Sequence, residues 1–163
     1  MKEENKTYVS PLLSFDMYLE HYHKLCGRLR RKNDVTQLQS ILKSEIASKV
    51  RETILEEEYD ALVLTKSNQN IVWVSNGFQE MTGYSKSFAL GKKPHFLQGP
   101  KTSKTIKLEI REQLKHRHGY KGSIINYRKN GETYICHIKI IPIYDRNNIL
   151  TNFLALEKEL PAA

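Results

Sequence analysis

Few residues in this chain combine a reactive type with a useful spacing, and most of those fail on geometry. His21, His23 and Cys26 lie close together and are the residue types that bind zinc. On a helix, however, His21 and His23 project ~200° apart and His21 and Cys26 ~140° apart, so the three do not converge. His116 and His118 flank Arg117 at the end of a helical segment, where basic side chains favour the carbonyl pole on electrostatic grounds alone. Cys136 sits in an apolar run, and it has two readings: a reactive thiol or a small buried hydrophobe. The two cysteines are far apart and show no Cys-x-x-Cys spacing, so neither a disulfide framework nor a zinc finger is expected. Lys92, Lys93, Lys101, Lys104, Lys107, Arg111, Lys115 and Arg117 form one dense basic series. It suits a solvated helix face, an anionic ligand or a nucleic acid. No nucleophile–base arrangement, phosphate-cradling glycine loop or paired-carboxylate motif appears, so no enzyme is expected.

The elements that hold these residues follow from composition and periodicity. The 163 residues are 39% apolar and 27% charged, with eight glycines and five prolines. That excludes a collagen-like or disordered chain and suits one domain with a helical extension. The net charge of +8 is unevenly placed. Residues 1–60 hold 10 Lys/Arg against 11 Asp/Glu, residues 61–118 hold 10 against 3, and residues 119–163 hold 6 against 4. No apolar run approaches the roughly 20 residues of a membrane span, and MKEENKTYVS lacks a signal-peptide core. A soluble cytoplasmic protein is expected, free of membrane and with the Asn5-Lys6-Thr7 sequon unmodified.

Phe15, Tyr18, Leu19, Tyr22, Leu25, Cys26 and Leu29 recur every three or four residues, predicting a helix that starts at Ser10-Pro11 and breaks at Asn33-Asp34. Val35, Leu38, Ile41, Leu42, Ile46, Val50, Ile54 and Leu55 predict a second helix. Either stripe can pack on the following domain or on a second copy of the chain. Beyond residue 60 the period changes. Ala61–Thr65 and Ile71–Ser75 are strand-like, 76–91 is short and mixed, and 102–117 is helical, capped by Thr102 or Ser103 and closed by Gly119. Tyr120–Arg128, Thr133–Tyr144 and Ile149–Leu156 are strands joined by Asn- and Gly-containing hairpin turns. The class is therefore α+β, with an antiparallel sheet and helices gathered on one face. The domains are residues 1–58, a helical extension, and residues 59–163.

The strings IVWVSNGFQEMTGYS (71–85), GKKPHFLQGPKTS (91–103), SIINYRKNGETYICHIKIIPIYD (123–145) and NFLALEKEL (152–160) resemble a PAS domain of the light-oxygen-voltage type. The resemblance runs from about Ala61 to Glu157 and implies a five-stranded antiparallel sheet with helices cupping a pocket. In the photoactive branch that pocket holds a flavin nucleotide, which forms a light-driven adduct with a cysteine. Here Lys93-Pro94-His95 stands where that branch has Asn-Cys-Arg, so the adduct-forming thiol is missing. Gln98, Arg111 and Asn126 match flavin-contacting positions, and a guanidinium at 111 suits a phosphate. His95 replaces the arginine, Cys136 a ring-facing asparagine, and Glu157 the switch glutamine of the last strand. Glu157 is then either a proton-controlled gate or the last exposed residue of its strand. The resemblance thus implies a weakened flavin mononucleotide site or none, with the ligand unidentified.

The expected function is a sensory PAS module that homodimerises and signals through a partner protein, without cysteinyl–flavin photochemistry. One alternative is a flavin photosensor or redox sensor that uses Trp73 or a tyrosine as electron donor. Another is a nucleic-acid-binding regulator using the basic series, although the near-neutral extension argues against a polyanion-binding tail.

Overall fold

The computed structural model describes residues 11–42 and 46–161. Ser10, expected as a cap, and the Asn5-Lys6-Thr7 sequon lie outside them. The chain divides into two compact units between Glu56 and Glu57.

The first unit holds helix α1, Pro11–Leu42, and helix α2, Ser48–Glu56. This corrects the expected break at Asn33-Asp34, through which α1 runs continuously for 32 residues. Asn and Asp each cost only about 0.7 kcal/mol relative to alanine inside a helix, and with no Gly or Pro beside them that is too little to end one. Asp34 is also buried, alongside Val35 and Leu38, whereas the stripe before it is not. The two halves of α1 thus differ in burial, while the backbone is uninterrupted.

The second unit contains strands β1 (Ala61–Lys66) and β2 (Ile71–Val74), and short helices α3 (Gly77–Thr82) and α4 (Lys86–Ala89). A 3-10 turn (Pro94–Leu97) and helix α5 (Lys104–Lys115) follow, then strands β3 (Tyr120–Tyr127), β4 (Thr133–Tyr144) and β5 (Leu150–Leu160). The strands form one antiparallel sheet in the order β2-β1-β5-β4-β3. The last strand is thus central, pairing Ala61 with Glu157 on one side and Ile138 with Glu157 on the other.

Alternation decides which residues face the helices. Ala61 and Val63 of β1, Ile124 of β3 and Tyr134 and Cys136 of β4 pack with Phe78, Met81, Ala89 and Leu97 from the helical side. Turn chemistry fixes the register. Gly131 has φ 88° in the β3–β4 turn, Asn148 has φ 59° in the β4–β5 turn, and the Asp145 carboxylate accepts from the amides of Asn147 and Ile149.

Helix α5 is set by its ends. Ser103 caps it by accepting from the Ile106 amide. Thr102 acts one residue earlier, where its buried hydroxyl accepts from the Gly99 amide and donates to the Ile125 carbonyl, tying the helix start to β3. At the other end Gly119, which the sequence pattern puts at the close of the helix, does not end it. Arg117 takes the left-handed conformation (φ 61°) after His116 has capped the last turn. Gly119 is required for another reason, since a Cβ there would lie 2.7 Å from the Ile140 carbonyl oxygen.

Candidate ligand cavity

A cavity of about 1000 Å³ lies between the inner face of the sheet, the 3-10 turn and α5. The sheet supplies an apolar floor of Val63, Ile124, Ile138, Ile140, Phe153 and Ala155, interrupted by Thr65, Asn126 and Glu157. The 3-10 turn contributes Pro94, His95 and Leu97, and Gln98 follows directly. Lys104, Lys107 and Arg111 of α5 line the opposite wall. Their spacing of three and then four residues places all three on one helix face. With Lys93 they make the rim cationic, against a single carboxylate among the lining residues.

That carboxylate, Glu157, is 2% exposed, and its Oε2 has no hydrogen-bond partner among the described residues. The strand does not stop there, as it would if Glu157 were its last exposed residue. β5 continues to Leu160, and both flanking strands place apolar residues, Ala61 and Ile138, opposite Glu157. Loss of water without a compensating donor pushes its pKa up to about 7, so both protonation states are accessible near neutrality.

The neighbouring polar groups respond to the same environment. Burial, followed by the Glu157 charge, raises the pKa of the Tyr134 hydroxyl, while Asn126 and Arg128 act in the opposite direction. Tyr134 stands opposite Asn126 in the β3–β4 register. The Arg128 guanidinium lies 4.6 Å from the centre of the Tyr134 ring, donates to the Met81 carbonyl, and donates to Glu159 Oε1 at 2.6 Å. It thereby ties α3, β3 and β5 together at one end of the sheet.

The six residues singled out in the sequence take different places. His95, Gln98, Arg111, Asn126 and Glu157 line the cavity. Cys136 does not: it is fully buried in the core against the helices, and neither of the two cysteines is among the cavity residues. Burial first, then Glu157, Asp60 and Glu159, raise its pKa, so its thiolate is unavailable at neutral pH. Lys104 and Lys107 were legible only as members of a basic series, although their helical spacing from Arg111 already put them on its face. Tyr134 carried no sequence signal, because its place depends on strand register. Among the described residues no group of three His, Cys, Asp or Glu could hold a metal, and no helix is long and apolar enough to cross a membrane.

Residues 60–160 match the PAS domain family. A blue-light photoreceptor of Listeria innocua is 37% identical over 95 residues, which are 58% of this chain and 37% of that protein. A nitrogen fixation regulatory protein of Klebsiella oxytoca is 30% identical over 66% of this chain and 22% of its own length. The chain therefore spans well under half of these relatives. Among solved structures, a light-oxygen-voltage domain studied with a flavin analogue superposes with a TM-score of 0.63, at 27% identity, over 71% of this chain and 86% of that one. The match covers all five strands, the helices that cup them and the cavity between, and on that ground the chain belongs to the PAS domain family.

Proposed function

We propose that this PAS domain is a ligand-responsive signalling module that works without cysteinyl–flavin photochemistry. The observation that carries the reading is the composition of the cavity wall, which has five basic side chains, one buried carboxylate and no thiol. A ligand that fits is elongated and partly apolar, with an anionic end. Its anion faces Lys104, Lys107 and Arg111, through charge-assisted hydrogen bonds in which the guanidinium can engage two oxygens at once. Its other end carries hydrogen-bonding groups for Gln98 and Asn126 and an N–H or O–H donor for Glu157. A donor there supplies what Oε2 lacks in the protein alone and favours the ionised carboxylate, so binding and proton release are linked. Output then passes through the helical extension to a partner protein.

The test is native mass spectrometry of the purified protein, followed by the same measurement on Arg111→Glu. A co-purified anionic molecule other than a flavin that is lost in the variant supports the reading. A neutral or cationic occupant, or one retained undiminished in Arg111→Glu, overturns it.

A second reading is a flavin sensor without the cysteine adduct. It is favoured by the shared cavity positions of Gln98, Arg111 and Asn126 and by similarity to a blue-light photoreceptor. Titration with flavin mononucleotide separates the two, since quenching of flavin fluorescence at micromolar protein supports this second reading and its absence removes it.

A further inference from the structure

Helix α4 ends at Ala89, and the next two residues make a type II turn. Leu90 has φ −57° and ψ 135°, Gly91 has φ 78°, and the Lys92 amide donates to the Ala89 carbonyl at 3.1 Å. The turn is tied to the edge strand β2, since the Gly91 amide donates to the Ile71 carbonyl and the Ile71 amide to the Lys92 carbonyl, both at 2.8 Å. The positive φ requires glycine at 91, but the geometry asks for no leucine before it, and turn corners ordinarily carry polar residues. Leu90 is nonetheless 48% exposed, and Phe88, two residues earlier, is 41% exposed. Phe88 is held in place from beneath: its ring stacks on Tyr84 at 4.8 Å between centres and meets the edge of Phe96 at 5.4 Å.

The charge around this turn has one sign. Residues 81–108 carry six lysines and no aspartate or glutamate. Three of the lysines flank the turn. Lys92 Nζ lies 3.1 Å from the centre of the Phe88 ring, Lys86 donates to the Asn76 side-chain oxygen, and Lys93 is exposed directly after Lys92. Among the described residues none of these three is in an ion pair. The turn therefore presents an apolar corner inside a ring of uncompensated ammonium groups.

We infer that the turn at residues 88–93 is a peripheral contact with an anionic lipid surface, into which Leu90 and Phe88 insert while Lys86, Lys92 and Lys93 stay among the headgroups. A bilayer of this kind offers negative charge at its surface and hydrocarbon about 5–10 Å beneath it, matching both halves of the patch. Lysine suits the position, because its apolar stem can lie along the acyl boundary with the ammonium in water. A nucleic acid would satisfy the lysines but offers no apolar phase to leucine, and a protein would need a socket for a projecting corner where a bilayer needs none. The contact is peripheral, as no helix among the described residues is long and apolar enough to span a membrane. It is independent of what the cavity binds, since neither Phe88, Leu90 nor Lys92 lines the cavity.

The experiment is co-sedimentation of the full chain with sucrose-loaded vesicles at about 0.1 M salt, comparing phosphatidylcholine alone with phosphatidylcholine containing about 30% phosphatidylserine. The wild-type chain should bind the anionic vesicles at least tenfold more tightly than the neutral ones. Leu90→Ser should weaken that binding about tenfold by removing the inserted side chain, and Lys92→Glu should weaken it about tenfold by reversing a charge. Lys121→Glu makes the same charge change at an exposed position of β3 and should leave binding within about twofold, with circular dichroism melts checking that each variant folds. Absence of binding to the anionic vesicles, or Leu90→Ser binding as the wild type does, would overturn the proposal. So would an equal loss in Lys121→Glu, which would reduce the effect to the attraction of the net charge of +8. Retention of a DNA duplex without vesicle binding would likewise overturn it and give the lysines to nucleic acid.

Discussion

Replacing Glu157 by glutamine keeps the shape of the side chain and removes its charge, so it isolates the effect of burying that charge. In the unfolded chain the carboxyl has the ordinary value of 4.5, whereas in the folded protein burial raises it to about 7. Below about pH 4.5 both states hold the proton and Glu157 behaves as a neutral acid. Between 4.5 and about 7 the folded state keeps a proton that the unfolded state has lost, so stability falls as pH rises. Above that window the loss is complete. At 1.36 kcal/mol for each unit between the two values, it amounts to about 3 kcal/mol, or roughly 15 °C in melting temperature for a unit of about 100 residues. Glu157→Gln should therefore match the wild type in acid and exceed it by about this amount at about pH 8. Thermal melts followed by circular dichroism across that range give the answer as a difference between variant and wild type, in which the titration of the six histidines cancels. Any cost of burying the amide is independent of pH and shifts the whole difference curve without changing its slope. A stability difference that stays constant across the range would refute the account of Glu157 as a buried carboxyl without a hydrogen-bond donor.

Three further outcomes follow from particular contacts. Gly119→Ala should destabilise the domain by about 1–3 kcal/mol in urea denaturation, because the new Cβ meets the backbone carbonyl of Ile140, which cannot swing away. Arg128→Ala should cost a similar 1–3 kcal/mol, since it removes the bonds to Met81 and Glu159 and the stacking on Tyr134; a loss under 0.5 kcal/mol would show that the cluster at that end of the sheet is incidental. Lys104→Glu with Lys107→Glu should leave the unfolding free energy in urea within about 0.5 kcal/mol of wild type, since neither lysine is buried, while weakening any anionic ligand at least tenfold in isothermal titration.

What the sequence discloses and what it withholds divide along physical lines. The hairpin β3–β4–β5 is legible because its turns carry Asn130-Gly131 and Asp145–Asn148, residues whose φ and side-chain bonds fix a turn locally. The central position of β5 is not, because its pairing with β1 joins residues nearly a hundred apart and no local pattern encodes it. The break expected at Asn33-Asp34 fails for the complementary reason: two modest helix formers cannot end a helix whose neighbours favour it and whose Asp34 is buried. At the cavity, Arg111, Asn126 and Gln98 are reached through the resemblance of the strings around them to the light-oxygen-voltage type. The burial of Glu157 is not, because the strand's continuation to Leu160 through Lys158 and Glu159 looks polar in sequence. Lys158 is carried there by an ion pair with Glu58 and Glu159 by Arg128, so pairing lets charged residues occupy a strand that a composition rule would end.

The central claim is that the cavity serves an anionic ligand without cysteinyl–flavin photochemistry, and the visible absorbance spectrum of the purified protein before and after blue light tests it most directly. The account predicts no flavin band at stoichiometric strength and no change on illumination, even after incubation with excess flavin mononucleotide. A stoichiometric flavin band that bleaches in blue light and recovers in the dark would contradict it.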